Sequence, residues 1–176
     1  MKPVDNDFRL ETKRLTMRRL TLDDAELMLA VWNDPHFVKY VGDRGVYTEE
    51  QAHDALRAGA FKLYEDFGYG PFRVALRDED RAIGTCGLFR RQGFDDPDLG
   101  WAILPKFCGN GYAYEAASAV LAFAWQHVGL TRLTAFIDAR NTPSIGLAHK
   151  LGLRYECVTR LVGDDEDVCL YSVRHD

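Results

Sequence analysis

The chain has 176 residues, long enough for one folded domain with a real hydrophobic core. Its 47% hydrophobic and 28% charged residues match an ordinary globular protein, and its net charge of -5 excludes a global basic field for nucleic acid. No apolar run approaches the roughly 18 residues of a membrane span, so neither a membrane nor a nucleic acid is expected as a partner.

The first segment, Met1 to Asp7, lacks the apolar core of a secretion signal, so the expected location is cytoplasmic. Cys86, Cys108, Cys157 and Cys169 show no C-x-x-C spacing, which points to free, mostly buried thiols. The histidines have no ligand spacing, so no metal is expected. Lys13, Arg14, Arg18 and Arg19 read as a solvated strand edge.

Arg14 to Leu20 reads as a first strand, with Leu15 and Met17 on alternate positions. Thr21-Leu22-Asp23-Asp24 resembles a capping box with Asp in place of Glu, and Leu27, Met28, Val31 and Trp32 follow at helical spacing. Asn33-Asp34-Pro35 ends that helix. Thr48-Glu49-Glu50-Gln51 is a full capping box, opening a second helix to about Glu65. A turn at Phe67 to Pro71 leads into strands over 72–76, 82–90 and 99–104, with loops over 77–81 and 92–98. A glycine loop precedes a helix from Tyr112 to about Val128, alanine-rich, apolar nearly all round and so expected to be buried. Gly129 closes it. A strand over 132–139, a short helix over 141–151 and an antiparallel pair over 155–161 and 168–173 complete the chain. No linker or repeat divides residues 1–176, so a single domain is expected: an α/β (α+β) architecture with one mixed sheet of about seven strands and helices on both faces.

Cys108-Gly109-Asn110-Gly111-Tyr112-Ala113 lies between a strand and a helix. Its glycines permit positive φ and a close backbone approach, and the helix start offers free amides and a dipole that favours an anion. Such a loop also occurs as a plain strand-to-helix turn. The sequence has neither G-x-x-x-x-G-K-[ST] nor G-x-G-x-x-G after its first strand, so no P-loop or dinucleotide fold is supported.

Further on, Asn141-Thr142-Pro143-Ser144 leads from a strand into a helix. Pro143 fits the first helical position, which makes Thr142 the expected N-cap. Asn141 is then left outside with its amide free, and Ser144 faces the same crevice at the strand ends. Both residue types are also ordinary helix starters.

Gly100-Trp101-Ala102-Ile103-Leu104-Pro105, Gly109-Asn110-Gly111-Tyr112-Ala113-Tyr114-Glu115-Ala116, and Asn141-Thr142-Pro143-Ser144 with Lys150-Leu151-Gly152-Leu153 occur in that order. Together they resemble the GNAT superfamily of acetyltransferases. Glu11-Thr12-Lys13-Arg14-Leu15 and Trp32-Asn33-Asp34-Pro35 are similar to its RimJ/RimL-like branch, the ribosomal-protein N-terminal acetyltransferases. The resemblance covers nearly the whole chain. It implies a mostly antiparallel sheet with a V-shaped split between two central parallel strands, here 99–104 and 133–139.

The resemblance also implies acetyl-CoA as co-substrate. Amides from Cys108 to Ala113, thus Cys108, Gly109, Asn110, Gly111, Tyr112 and Ala113, would hold its pyrophosphate. Ile103 would pair with the pantetheine arm and polarise the thioester carbonyl, and Asn141 would also bind the arm. The reaction is direct attack by a neutral primary amine within a ternary complex. Many members carry a Tyr seven residues after the motif's Asn to protonate the thiolate; here that position is Ala148. Ser144 is the best-placed replacement, with Tyr112 and Tyr114 weaker. Many members have Gln or Arg where Cys108 stands, so a side-chain contact is lost. Asp98, where the branch often has Glu, is the expected base. Glu115, His36 and His149 are expected outside the substrate site.

Trp32, Phe37, Tyr40 and Phe89 are the candidate acceptor-pocket residues. The cluster Asp95, Asp96 and Asp98 suits a cationic acceptor: a small-molecule amine, a polyamine, an aminoglycoside or a protein N-terminus. Two alternatives stay open: a non-catalytic CoA-binding or interaction domain on the same fold, and transfer of another acyl group such as succinyl, for which Arg90, Arg91 or Arg140 would supply a cation. The final strands leave an edge for a homodimer.

Overall fold

Leu15 and Met17 alternate with polar residues, and a strand puts them on one face, where both are fully buried. In the computed structural model, which describes residues 8–175, this is β2 (Leu15–Arg19). The segment Met1 to Asp7, read above as lacking a secretion signal, lies outside the described residues. A three-residue β1 (Arg9–Glu11) precedes β2, too short to show a period in sequence. The others are β3 (Pro71–Leu76), β4 (Arg81–Phe89), β5 (Asp98–Ile103), β6 (Arg132–Ile137), β7 (Arg154–Arg160) and β8 (Asp167–Arg174).

They form one eight-stranded sheet in the order β1-β2-β3-β4-β5-β6-β8-β7, antiparallel except at β5–β6. That joint positions the site. β5 matches β4 at six residue pairs and β6 matches β8 at six, but β5 and β6 meet at a single pair, Asp98 and Thr134. The root is stitched by Pro97, whose carbonyl accepts from the Thr134 N–H at 3.0 Å and from its hydroxyl at 3.2 Å. Beyond it the strands diverge, which is the expected V.

Helices cover both faces. α5 (Tyr112–Phe123) buries Ala116, Ala117, Val120, Leu121 and Phe123 against Leu15, Met17, Leu88 and Leu99. Its other face is open, with Tyr114 exposed, so the expectation of an all-round buried helix is corrected; its alanines make the sequence look more buried than it is. α1 (Ala25–Trp32), α2 (Pro35–Val41), α3 (Glu49–Leu56) and α4 (Lys62–Phe67) lie together, and Met28, Leu56 and Ala60 pack with Leu20. α3 and α4 are one rod interrupted by a wider π turn at Arg57–Phe61.

α2 begins where the sequence predicts only a stop, at Asp34-Pro35. Asp34 is instead the cap of a new helix: its carboxylate accepts from the His36 and Phe37 N–H groups, and Pro35 takes the first turn. α6 (Thr142–Lys150) follows β6. Of the four free thiols only Cys86 and Cys169 are buried, while Cys108 and Cys157 are exposed, so "mostly buried" does not hold.

Candidate active site

The open edge of β5 follows from its register. Leu104 N–H donates to the Ile83 carbonyl at 2.8 Å, so alternate residues in the strand also face β4. The polar backbone groups of Ile103 and Trp101 therefore point across the split, where β6 has moved away. Among the described residues the Ile103 carbonyl takes only the Cys108 thiol, at 3.4 Å.

Below the split, Gly109 and Gly111 adopt φ of 78° and 79°, which glycine tolerates and other residues do not. The Cys108 N–H donates to Pro105 at 3.1 Å, closing a short turn over Pro105–Phe107, so Cys108 is removed from the amides expected at an anion. The first amide after it with a backbone partner is Glu115, bonded to Gly111 at 3.0 Å. Among the described residues no backbone acceptor is bonded to the N–H groups of Gly109 to Tyr114, which leaves them for a ligand. Asn110 turns its side chain inward, its amide donating to Phe107 and Cys108 carbonyls at 3.1 Å. Arg14 braces the loop from outside: it donates to the Asn110 carbonyl at 2.9 Å, pairs with Glu115 at 2.6 Å and lies 4.5 Å over the Tyr112 ring. Glu115 is thus structural, as expected; burial works against its charge, but hydrogen bonds from Thr12 and Arg14 hold its carboxyl below the usual range.

The start of α6 corrects the expected cap. Asn141, not Thr142, is the N-cap, and its Oδ1 accepts from Ser144 N–H at 3.3 Å. Asn competes well for this position, and Pro143 is equally at home in the second helical place. Only the Nδ2 donor of Asn141 is left for a ligand. Ser144 Oγ accepts from Trp101 Nε1 at 3.3 Å, a bond across the split that sequence spacing gave no hint of.

A cavity of about 380 Å³ opens on the α1–α4 side of the split. Its walls bring together Trp32, Phe37, Tyr40 and Phe89 with Asp98, Asn141 and Ser144, the residues singled out in sequence from five separate segments. The π turn contributes Gly59 and Ala60. Tyr112, Tyr114, His36 and His149 do not line it, and the Tyr40 ring is met by His36 at 4.9 Å and Lys39 at 4.8 Å.

Two carboxylates line the cavity in opposite states. Asp98 is 2% exposed, and burial pushes its pKa up despite Arg91, whose Nε lies 3.2 Å from both of its oxygens. Asp138, missed in sequence, is held below the usual range, chiefly by hydrogen bonds from the Arg140 side chain. Such divergence separates a proton acceptor from a fixed anion. The expected acidic cluster is dispersed: Asp95 is exposed, and Asp96 pairs with Arg132. Cys108 is no activated nucleophile, since partial burial raises its pKa.

Known proteins share this fold. The profile of the acetyltransferase (GNAT) domain matches residues 14–154. The chain belongs to the GNAT acetyltransferase family. It is 32% identical over 147 residues to the uncharacterized N-acetyltransferase YnaD of Bacillus subtilis (strain 168), covering 84% of this chain and 83% of that one. The solved GNAT-family acetyltransferase of Bacillus anthracis has a TM-score of 0.78 at 26% identity, covering 95% of this chain and 98% of that one. RimL, the ribosomal L7/L12 alpha-N-protein acetyltransferase in complex with coenzyme A, has a TM-score of 0.80 at 15% identity over 95% of this chain and 98% of that one, a likeness of fold.

Ala148, where the resemblance implies a Tyr, is the main departure from the expected site. It is fully buried against Ala135, Ile137 and Leu153, so its place in α6 is packed with apolar side chains. The Ser144 hydroxyl sits across the split, held by Trp101.

Proposed function

We propose that this GNAT protein transfers an acetyl group from acetyl-CoA to a primary amine by direct attack within a ternary complex. The observation that carries the reading is the split itself: an unpaired β5 edge on one side of a single strand contact, a row of free amides below it and a cavity that continues from it toward α1 and α2. These groups fit the donor. The amides of Gly109 to Tyr114 suit a pyrophosphate, and the Ile103 edge with Asn141 Nδ2 suits an amide-bearing arm. Acetyl-CoA supplies a thioester already activated toward amines.

The remaining work falls to this chain. Asp138 attracts a cationic amine into the cavity. Asp98, its proton affinity raised by burial, takes a proton from that amine. The open N–H groups of the β5 edge face the position of the thioester carbonyl and stabilise charge that develops there. Ser144 accepts from Trp101, which leaves its own hydroxyl proton to donate toward a departing thiolate.

The test is release of free thiol from acetyl-CoA across a panel of amines. Amine-dependent release with intersecting initial-rate lines is expected. Tight CoA binding with no release above background would instead favour a binding domain, and parallel lines would point to an acyl-enzyme.

A further inference from the structure

Every acid at the cavity has a role in the scheme above; its cations do not. Arg44 and Arg91 both line it. Arg91 spends only its Nε edge on Asp98, and among the described residues its two terminal nitrogens have no protein acceptor. Arg44 contacts the Phe37 ring at 5.9 Å and has no carboxylate within ion-pair distance among the described residues. Two like charges with no shared counter-ion at one cavity repel each other, an arrangement that an incoming anion relieves.

The position of Arg44 is fixed by its loop. Asn33 donates to the Val46 carbonyl at 2.9 Å. The neighbouring Asp43 is turned away: it accepts from Gly45 N–H at 2.8 Å and from the Tyr47 hydroxyl at 2.5 Å. The one acid adjacent to Arg44 in sequence is therefore occupied. Arg44 is exposed over its surface as a whole; crowding at its guanidinium end, and then the charge of Arg91, hold it below the usual arginine range, while Asp164 opposes this more weakly. Arg44 lies between α2 and α3 and lines the cavity beside Phe37 and Arg91.

We infer that the acceptor is a small amino acid, whose carboxylate is bound by Arg44 and Arg91 while its amine meets Asp98. This rests on the acetyl-transfer reading above and adds the acceptor's second charge. Arg91 sets the scale: one edge touches Asp98 and the other is open, so an amine at Asp98 and a carboxylate on Arg91 stand a few ångströms apart. An α-amino acid has that spacing; a polyamine or aminoglycoside has no group for the arginines. The apolar walls of Met28, Val31, Trp32, Phe37 and Tyr40 suit a hydrophobic side chain, and about 380 Å³ lies at the small end of ligand pockets.

The experiment compares free L-amino acids with their carboxamides, L-phenylalanine and L-leucine against L-phenylalaninamide and L-leucinamide, by thiol release from acetyl-CoA. The amide has the less basic amine, so intrinsic reactivity at neutral pH favours it. The inference expects kcat/KM for the free acid to exceed that for the amide by about tenfold or more, the effect of a charge-assisted hydrogen bond. In Arg44→Gln that ratio should fall toward one, and Arg44→Lys should restore part of it. Turnover of amides, or of peptide amides with the same first residue, as fast as the free acids overturns the inference and leaves acetyl transfer standing. A preference for succinyl-CoA that Arg44→Gln abolishes also overturns it, by assigning the arginines to the donor. No thiol release with any amine overturns the acetyl-transfer reading itself.

Discussion

The two sides of the split are built from different materials. The side proposed for the donor is backbone: an unpaired strand edge, two glycines at positive φ and the unbonded amides of α5. The acceptor side is side chains, gathered from α1, α2, the α2–α3 loop, β4, β5 and the β6–α6 junction. A backbone site tolerates side-chain change as long as its geometry holds, so it makes little demand on the side chain at Cys108. A side-chain site changes its ligand with each substitution. Donor recognition can therefore persist across the family while acceptor recognition diverges.

The largest expected effect tests the acceptor side. Asp98→Asn should lower kcat by about 10²- to 10⁴-fold while the KM for acetyl-CoA stays near its original value. The sign of the pH dependence follows from burial. Asp98 must be ionised to take a proton, and its pKa is raised, so activity should fall with decreasing pH at a point above the usual aspartate value of about 3.9. That acidic limb should vanish in Asp98→Asn; an unchanged pH profile would remove Asp98 as the base.

On the donor side the sensitive positions carry no functional group. Gly84 has φ of 153°, and a Cβ there would meet the Ala102 carbonyl oxygen at 2.1 Å and the Ile103 Cα at 2.8 Å. Both are backbone of the edge that would hold the arm. Gly84→Ala should cost about 1–3 kcal/mol in denaturant unfolding and weaken CoA binding by calorimetry. Stability and CoA affinity equal to the original protein would show that this edge is not rigid.

Ser144→Ala should lower kcat by about tenfold, since a general acid is lost while Trp101 and Asn141 keep their places. The smallest effect is expected from Arg14→Ala. The brace at Asn110 goes, but the amides remain, so the KM for acetyl-CoA should rise only a few-fold, the weight of one hydrogen bond to a charged group partly open to water. A fall in kcat instead would place Arg14 on the wrong side of the comparison.

The same contrast explains what was legible in the sequence. The glycine loop, the strand before it and Asn141-Thr142-Pro143-Ser144 are local, each a few residues long with a local physical cause, and they gave away the family. Errors fell where one local signal has two meanings. Asp34-Pro35 ends one helix and begins another, and Asn141 and Thr142 both cap well. The Trp101–Ser144 bond, the Asp98–Arg91 contact and the place of Arg44 at the cavity depend on how the sheet brings distant segments together, which no local pattern encodes. The four aromatics were found as types, but only the fold shows that they share one cavity.

The central claim is spatial: the donor lies on backbone in and below the split, and the cavity above it is left for the acceptor. Titrating isotope-labelled protein with coenzyme A and following amide shifts tests it directly. The account predicts the largest changes at Gly109 to Tyr114, Trp101 and Ile103, with Trp32, Phe37 and Arg44 little altered. Changes centred on Trp32, Phe37 and Arg44, with the glycine loop silent, would contradict it.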